Sequence, residues 1–242
     1  MLRTVSHLGR RIKKSVTNNG VGGTAVVAAR FAWVQAQRLR PSVRKAMAEE
    51  RAFDIEHDVD TAGIIPTANL DTEGDSWIYG NRYECSPAEE FDKIMASLAS
   101  EDMSRLTFID VGCGKGRAMF MAAHHPFKRI EGIELGKDLV ASCERNIRSF
   151  RSDGQRCHAL SVSCQDASTF MLPDEPLVLY FNNPFTEPIM AKVVAHLRAS
   201  LEKTSRTVYV AYYNPQHAEL FDAVPGLEPF DGGTWYRIWK AA

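Results

Sequence analysis

Asp110, Gly112, Gly114 and Gly116 stand at alternate positions in the run Phe108-Ile109-Asp110-Val111-Gly112-Cys113-Gly114-Lys115-Gly116. Residues without a Cβ let a backbone turn sharply and let an adenosine-bearing ligand lie directly against it. An apolar run that ends in an acid and then three spaced glycines therefore reads as a buried strand stopping at a nucleotide loop before a helix. Cys113 reads as small filler, because the loop needs a small side chain there. The spacing discriminates among nucleotides. A dinucleotide loop asks for Gly-x-Gly-x-x-Gly, whose third glycine permits close helix packing beside a pyrophosphate; here Arg117 holds that position. A second chemical group follows in Ile130-Glu131-Gly132-Ile133-Glu134-Leu135, read as the next strand with Glu134 at its carboxyl end. An ionised carboxylate offers two acceptor oxygens and no donor, so Glu134, with Leu135 beside it, is placed to accept both hydroxyls of a ribose.

Two further polar groups close apolar runs. Gln165-Asp166 follows a strand over His158–Ser163, and Asn182-Asn183-Pro184-Phe185 follows Leu177-Val178-Leu179-Tyr180-Phe181. A polar pair at the end of a buried run is costly unless it finds partners, and ligand contact or local capping would each supply them. Asp166 has the same two readings, ligand contact or the N-cap of a short turn at Ala167-Ser168-Thr169.

The elements that must carry these groups alternate. Strands are expected over Leu106–Val111, Arg129–Leu135, His158–Ser163, Leu177–Asn182 and Thr207–Tyr213, and helices over Arg117–His125, Lys137–Phe150, Glu187–Leu201 and Pro215–Ala223. A helix to about Ala99 should precede them, with Ser86 as N-cap, Pro87 in the first turn and Glu89 and Glu90 favourable toward the dipole. Leu227–Phe230 and Trp235–Lys240, around Asp231-Gly232-Gly233, read as a terminal hairpin. Such alternation implies a parallel sheet with helices on both faces. In sheets of this kind ligands bind beyond the carboxyl strand ends where the strand order reverses, so all the polar groups above should converge on one cleft.

The pattern Asp-x-Gly-x-Gly-x-Gly, with Glu134 after the next strand, resembles motif I and the ribose-binding acid of the class I S-adenosylmethionine (SAM) methyltransferases. The resemblance implies a Rossmann-like α/β fold, a seven-stranded sheet with an antiparallel last strand, and SAM as cofactor. It implies cofactor contacts at Asp110, Gly112, Cys113, Gly114, Gly116, Glu134, Leu135, Gln165, Asp166 and Asn182, with Asp166 near the adenine amino group and Asp110 orienting the loop or the methionine amino group. Asn182-Asn183-Pro184-Phe185 resembles the Asn-Pro-Pro-Tyr/Phe motif of amino-directed methyltransferases, departing from it at Asn183, and the Asn-Asn pair is equally similar to the post-strand motif of the Dot-type non-SET lysine methyltransferases. Tyr79-Gly80-Asn81-Arg82-Tyr83-Glu84-Cys85-Ser86-Pro87 resembles the segment that folds over the cofactor in Dot-type enzymes and their prokaryotic relatives, which places Tyr79 and Tyr83 at the methyl channel and Glu84 at the methionine end. From Val59 to Asn214-Pro215 the chain is similar to a bacterial family of SAM methyltransferases. The activity implied is SAM-dependent N-methylation of an amine or protein side chain, with Asn182, Asn183, Pro184, Phe185 and Tyr83 as catalytic candidates and an acceptor, protein or small molecule, that no motif names. Two alternatives stay open: a non-catalytic SAM- or nucleic-acid-binding module, and an NAD-type oxidoreductase, which Arg117 and the hairpin disfavour.

Charge is unevenly distributed. Residues 1–48 hold ten of the 29 Lys and Arg and none of the 30 Asp and Glu, so the rest of the chain is acidic beneath a net charge of −1. Three uses fit such a basic arm: a solvated helical extension, a contact with an anionic membrane surface or nucleic acid, and an organelle-targeting segment. The expected organisation is a basic extension over 1–52, an irregular segment over 53–86 that covers the cofactor, and the catalytic domain over 87–242. Val21 to Val34 is interrupted by Arg30 and falls short of the roughly 20 residues needed to span a bilayer. Five cysteines without a Cys-x-x-Cys pair, and histidines without ligand spacing, suggest neither a disulfide framework nor a metal, and the cytoplasm is the expected compartment.

Overall fold

Alternating side-chain direction along a strand decides how this molecule divides its core. In the computed structural model, which describes residues 40–66 and 80–242, strand β3 (Thr107–Val111) is buried at every position. Phe108 points into one apolar cluster and Ile109 and Val111 into another, as the two-residue period of a strand requires. The same split recurs in β6 (Leu177–Asn182) and β7 (Val208–Tyr213). A strand buried on both faces needs a helix layer on each side. Helices α2 (Ala88–Ser97) and α3 (Arg117–Ala122) supply Phe91, Ile94, Met119 and Phe120 to the first cluster. Helices α5 (Glu187–Lys203) and α6 (Ala218–Asp222) supply Met190, Val193, Leu197 and Phe221 to the second.

With β4 (Arg129–Glu134), β5 (Leu160–Cys164), β8 (Glu228–Gly232) and β9 (Tyr236–Ala241), the sheet has seven strands in the order β5-β4-β3-β6-β7-β9-β8. The first five are mutually parallel. β9 runs antiparallel between β7 and β8. This is the Rossmann-like sheet with an antiparallel last strand that the sequence implied, and it departs from the all-parallel order of a dinucleotide fold. Strand order reverses at β3, which has β4 on one side and β6 on the other. β5 and β8, at the edges, are largely exposed.

Two local expectations need correction. Pro87, not Ser86, is the N-cap of α2, and it caps without a side-chain bond; the Ser86 hydroxyl instead accepts a hydrogen bond from Tyr180 Oη at 3.0 Å. The irregular stretch begins later than position 53, because helix α1 (Pro41–His57) runs through it. After α1 the chain forms the short strand β1 (Ile64–Ile65), antiparallel to β2 (Tyr83–Glu84). The chain divides into two units, Met1–Glu49 and Glu50–Ala242. Of the first, residues 40–49 are described, and they carry an exposed Lys45–Glu49 pair. The rest of the basic arm, and Tyr79, lie outside the described residues. Among the described residues no helix is long and apolar enough to cross a membrane.

Candidate active site

A cleft open to solvent lies beyond the carboxyl ends of β3, β4 and β6. Twelve of the fifteen residues singled out in the sequence line it: Tyr83, Glu84, Asp110, Gly112, Cys113, Glu134, Leu135, Gln165, Asp166, Asn182, Pro184 and Phe185. Gly114, Gly116 and Asn183 do not.

The glycine loop is built by positive φ angles at Gly112, Gly114 and Gly116, +81°, +55° and +94°. Close approach is the second requirement. A Cβ on Gly112 would lie 2.6 Å from Pro184 Cβ, and one on Gly114 would lie 2.2 Å from Cε2 of Tyr83. The loop is thus pressed between the motif after β6 and the segment before α2. Its backbone is also tied to the acid of the next strand: Gly114 N donates to Glu134 Oε2 at 2.9 Å, and Gly136 N donates to Oε1 at 2.8 Å. Each oxygen of Glu134 keeps lone-pair capacity beyond its backbone partner, so both can still accept a hydroxyl. Burial raises the Glu134 pKa, and the N–H groups of Gly136, Gly114 and Leu135 counter that shift.

Asp110 is 3% exposed. Among the described residues nothing donates a hydrogen bond to its carboxylate, and burial, with the nearby charge of Glu134, pushes its pKa up to about 8. A buried carboxyl facing a cleft without a donor suits a cationic ligand group. Asp166 is a cap: its Oδ1 accepts from Ser168 N at 2.8 Å at the start of the Ala167–Thr169 turn, while the residue still faces the cleft.

The four residues after β6 divide. Asn182 Nδ2 donates to Glu84 O at 3.0 Å, which fixes the orientation of the amide and leaves Oδ1 as its acceptor. Asn183 adopts a left-handed φ of +40°, which asparagine tolerates better than most residues. That turn sends its side chain away from the cleft, where Oδ1 accepts from Tyr212 Oη at 3.2 Å. The backbone carbonyls of Asn183 and Pro184 are both engaged by Asn81, Asn183 O by its Nδ2 at 2.8 Å and Pro184 O by its N at 2.9 Å. Tyr83 lies on Gly114 and donates its hydroxyl to Thr61 O; burial raises its pKa further, so it is no proton acceptor at neutral pH. The Glu84 carboxylate pairs with Arg82 at 2.8 Å on the exposed side.

Residues 104–188 match the model of a family described as "Putative methyltransferase". That match covers about a third of the chain and takes in the glycine loop, Glu134 and the motif after β6, so over this stretch the chain resembles the methyltransferases. No curated protein matches the sequence. Solved structures that align with it include a magnesium protoporphyrin IX methyltransferase from Synechocystis PCC 6803 with bound SAM, at 12% identity over 63% of this chain and 77% of that one, TM-score 0.43. An RNA methyltransferase from Salinibacter ruber in complex with S-adenosylhomocysteine aligns at 18% identity over 65% of this chain and 92% of that one, TM-score 0.43.

The chemistry of the cleft suits SAM as a cofactor. Glu134 retains acceptor capacity for a ribose, and Asp110 is a buried acid without a donor among the described residues. Sequence reasoning missed the residues that hold the cover in place. Asn81 pins the motif after β6, and Gly80 forms a β-bridge with Phe185. Asn146, on helix α4 (Lys137–Ser149), bonds both backbone groups of Asp60 and the carbonyl of Lys115. Lys115 Nζ reaches Asp60 Oδ1 at 3.0 Å. One signal was available: a charged residue directly after a buried glycine loop must find partners.

Gly114→Ala tests the packing of Tyr83 on the loop. A Cβ there forces the ring away and holds a non-glycine residue at positive φ, so the protein is expected to lose about 1–3 kcal/mol in denaturant unfolding. Wild-type stability would mean that Tyr83 does not sit where the structure has it.

Proposed function

We propose that this protein is a SAM-dependent methyltransferase that methylates nitrogen, on an amine or a protein side chain, with Asn182 orienting the acceptor. The observation that carries this is the bond from Asn182 Nδ2 to Glu84 O. It holds the amide so that its oxygen is the acceptor, in a residue of the cleft wall. An acceptor N–H is the group such an oxygen would orient.

Bound SAM supplies an electrophilic methyl on a sulfonium. The residues proposed to hold it are Glu134 and Leu135 at the ribose, Gln165 and Asp166 at the adenine, and Asp110, Glu84 and the loop Gly112–Gly116 at the amino-acid end. What remains for the protein is alignment and exclusion of water, which for a displacement reaction supplies much of the rate. Pro184 against Gly112 and Tyr83 against Gly114 fix the floor of the cleft, and Phe185 with Pro184 gives it apolar walls. Tyr83 is assigned a shaping role. An ammonium acceptor must lose its proton first, and burial in such a cleft favours the neutral amine. We place the boundaries at 1–52, 53–86 and 87–242, with 53–86 as the cover. The five free cysteines suit the cytoplasm, and residues 1–48 suit contact with an anionic surface.

The test is transfer of label from methyl-labelled SAM to a lysate separated into protein, RNA and small-molecule fractions. Label in protein or in amines supports N-methylation; label confined to RNA, or in no fraction, refutes it. On the labelled acceptor, Asn182→Ala should lower kcat by about 100-fold, the cost of a misplaced reactant. Unchanged kcat would remove Asn182 from the mechanism.

A further inference from the structure

Arg117 is the most buried cation among the described residues, at 3% exposure. A guanidinium keeps its charge in any protein, so burial has to be answered by partners. Three of its N–H groups are answered: Nε donates to Thr61 Oγ1 at 2.6 Å, and Nη2 reaches Glu50 O at 2.8 Å and Asp54 Oδ1 at 3.3 Å. Its face lies 4.2 Å from the Phe53 ring. Nη1 donates to no described residue, and Arg117 is part of the cleft wall together with Asp110, Gly112 and Tyr83. Lys115, the neighbouring cation, is committed to Asp60 Oδ1 and Ala62 O and does not line the cleft.

The partners of Arg117 form a strap. Asp54 also accepts from Thr61 N, Thr61 Oγ1 and Ala62 N, and Thr61 O accepts from the Tyr83 hydroxyl. Residues 50–62 are thereby folded onto the glycine loop, with Arg117 holding Glu50, Asp54 and Thr61 while Lys115 and Asn146 hold Asp60. An amino-acid moiety carries one cationic and one anionic group, and this wall presents Asp110, a buried acid without a donor, and Arg117, a buried cation with two N–H groups uncommitted among the described residues. We propose that Arg117 binds the carboxylate of the cofactor's amino-acid end and thereby ties the bound cofactor to the strap of residues 50–62. This rests on the SAM reading of the cleft. It makes Arg117 a binding residue at the position where a dinucleotide fold keeps glycine, and it makes the strap a part of the cofactor site.

The experiment compares two ligands that share adenosine and thioether: S-adenosylhomocysteine, and 5′-methylthioadenosine, which lacks the amino-acid end. Calorimetric titration of Arg117→Gln and Arg117→Lys should show S-adenosylhomocysteine weakened at least about tenfold, the loss of one charge-assisted bond, with 5′-methylthioadenosine unchanged within about twofold. Equal weakening of both ligands would mean that Arg117 only supports the fold and would overturn the proposal, as would unchanged binding of both. Hydrogen exchange on the unaltered chain removes dependence on the variants' folding: S-adenosylhomocysteine should slow exchange across residues 50–62 and 5′-methylthioadenosine should not. Equal protection by the two overturns the proposal while leaving the SAM reading intact. Absence of binding by either ligand to the wild type overturns both.

Discussion

Glu134→Ala is expected to weaken S-adenosylhomocysteine binding by at least about 100-fold, because two hydrogen bonds to a charged acceptor, each worth about 1.5–3 kcal/mol, are lost together. The effect has two sources. One is the pair of ribose contacts assigned to Glu134. The other is the loop itself, since the same carboxylate holds Gly114 N at 2.9 Å and Gly136 N at 2.8 Å. Glu134→Gln separates these from simple charge loss. An amide has one oxygen, so it can accept from one of the two backbone N–H groups while its NH₂ opposes the other. The Gln variant should therefore behave nearly as badly as Ala, and both should keep the native circular dichroism. A Gln variant that binds like the wild type would show that Glu134 is neither the ribose ligand nor the clamp of the loop.

The second large effect is a pH dependence. Free Asp110 holds its proton up to about pH 8, through burial and then the charge of Glu134. A cofactor ammonium would stabilise the ionised form, so binding must release that proton. Affinity for S-adenosylhomocysteine should therefore rise about tenfold per pH unit between pH 6 and 8 and level off above. Asp110→Asn should flatten the profile. Linkage fixes a second sign for the free protein. The folded pKa lies above the unfolded one near 3.8, so the folded state binds the proton more tightly and stability falls as pH rises from about 4 to about 8. Asp110→Asn should remove that fall. Titrations at pH 6, 7 and 8 that give one affinity for the wild type would exclude Asp110 from the ammonium contact.

Groups whose environment is local were legible in the sequence. Leu177–Asn182 has in the structure the limits read from its apolar run, and the hairpin after Gly226 closes the sheet antiparallel. Glu134 and the glycine loop meet because consecutive parallel strands place their ends side by side, a rule of topology that needs no long-range detail. Partners across long sequence separations were not legible. Arg117 finds Asp54 and Thr61 more than 50 residues away, so the sequence shows only that a cation follows the loop. Asn183 looked equivalent to Asn182, but a positive φ at one residue sends the two side chains to different surroundings. Ser86 has the chemistry of an N-cap and lost that role because Tyr180 Oη, at a buried position, needed an acceptor.

The central claim is that the cleft beyond β3 and β4 seats SAM, and calorimetric titration of the purified chain with S-adenosylhomocysteine, beside NAD, tests it most directly. Saturable binding of S-adenosylhomocysteine at one site per chain, lost in Glu134→Ala and absent with NAD, is the result expected. Binding of NAD and none of S-adenosylhomocysteine would contradict it.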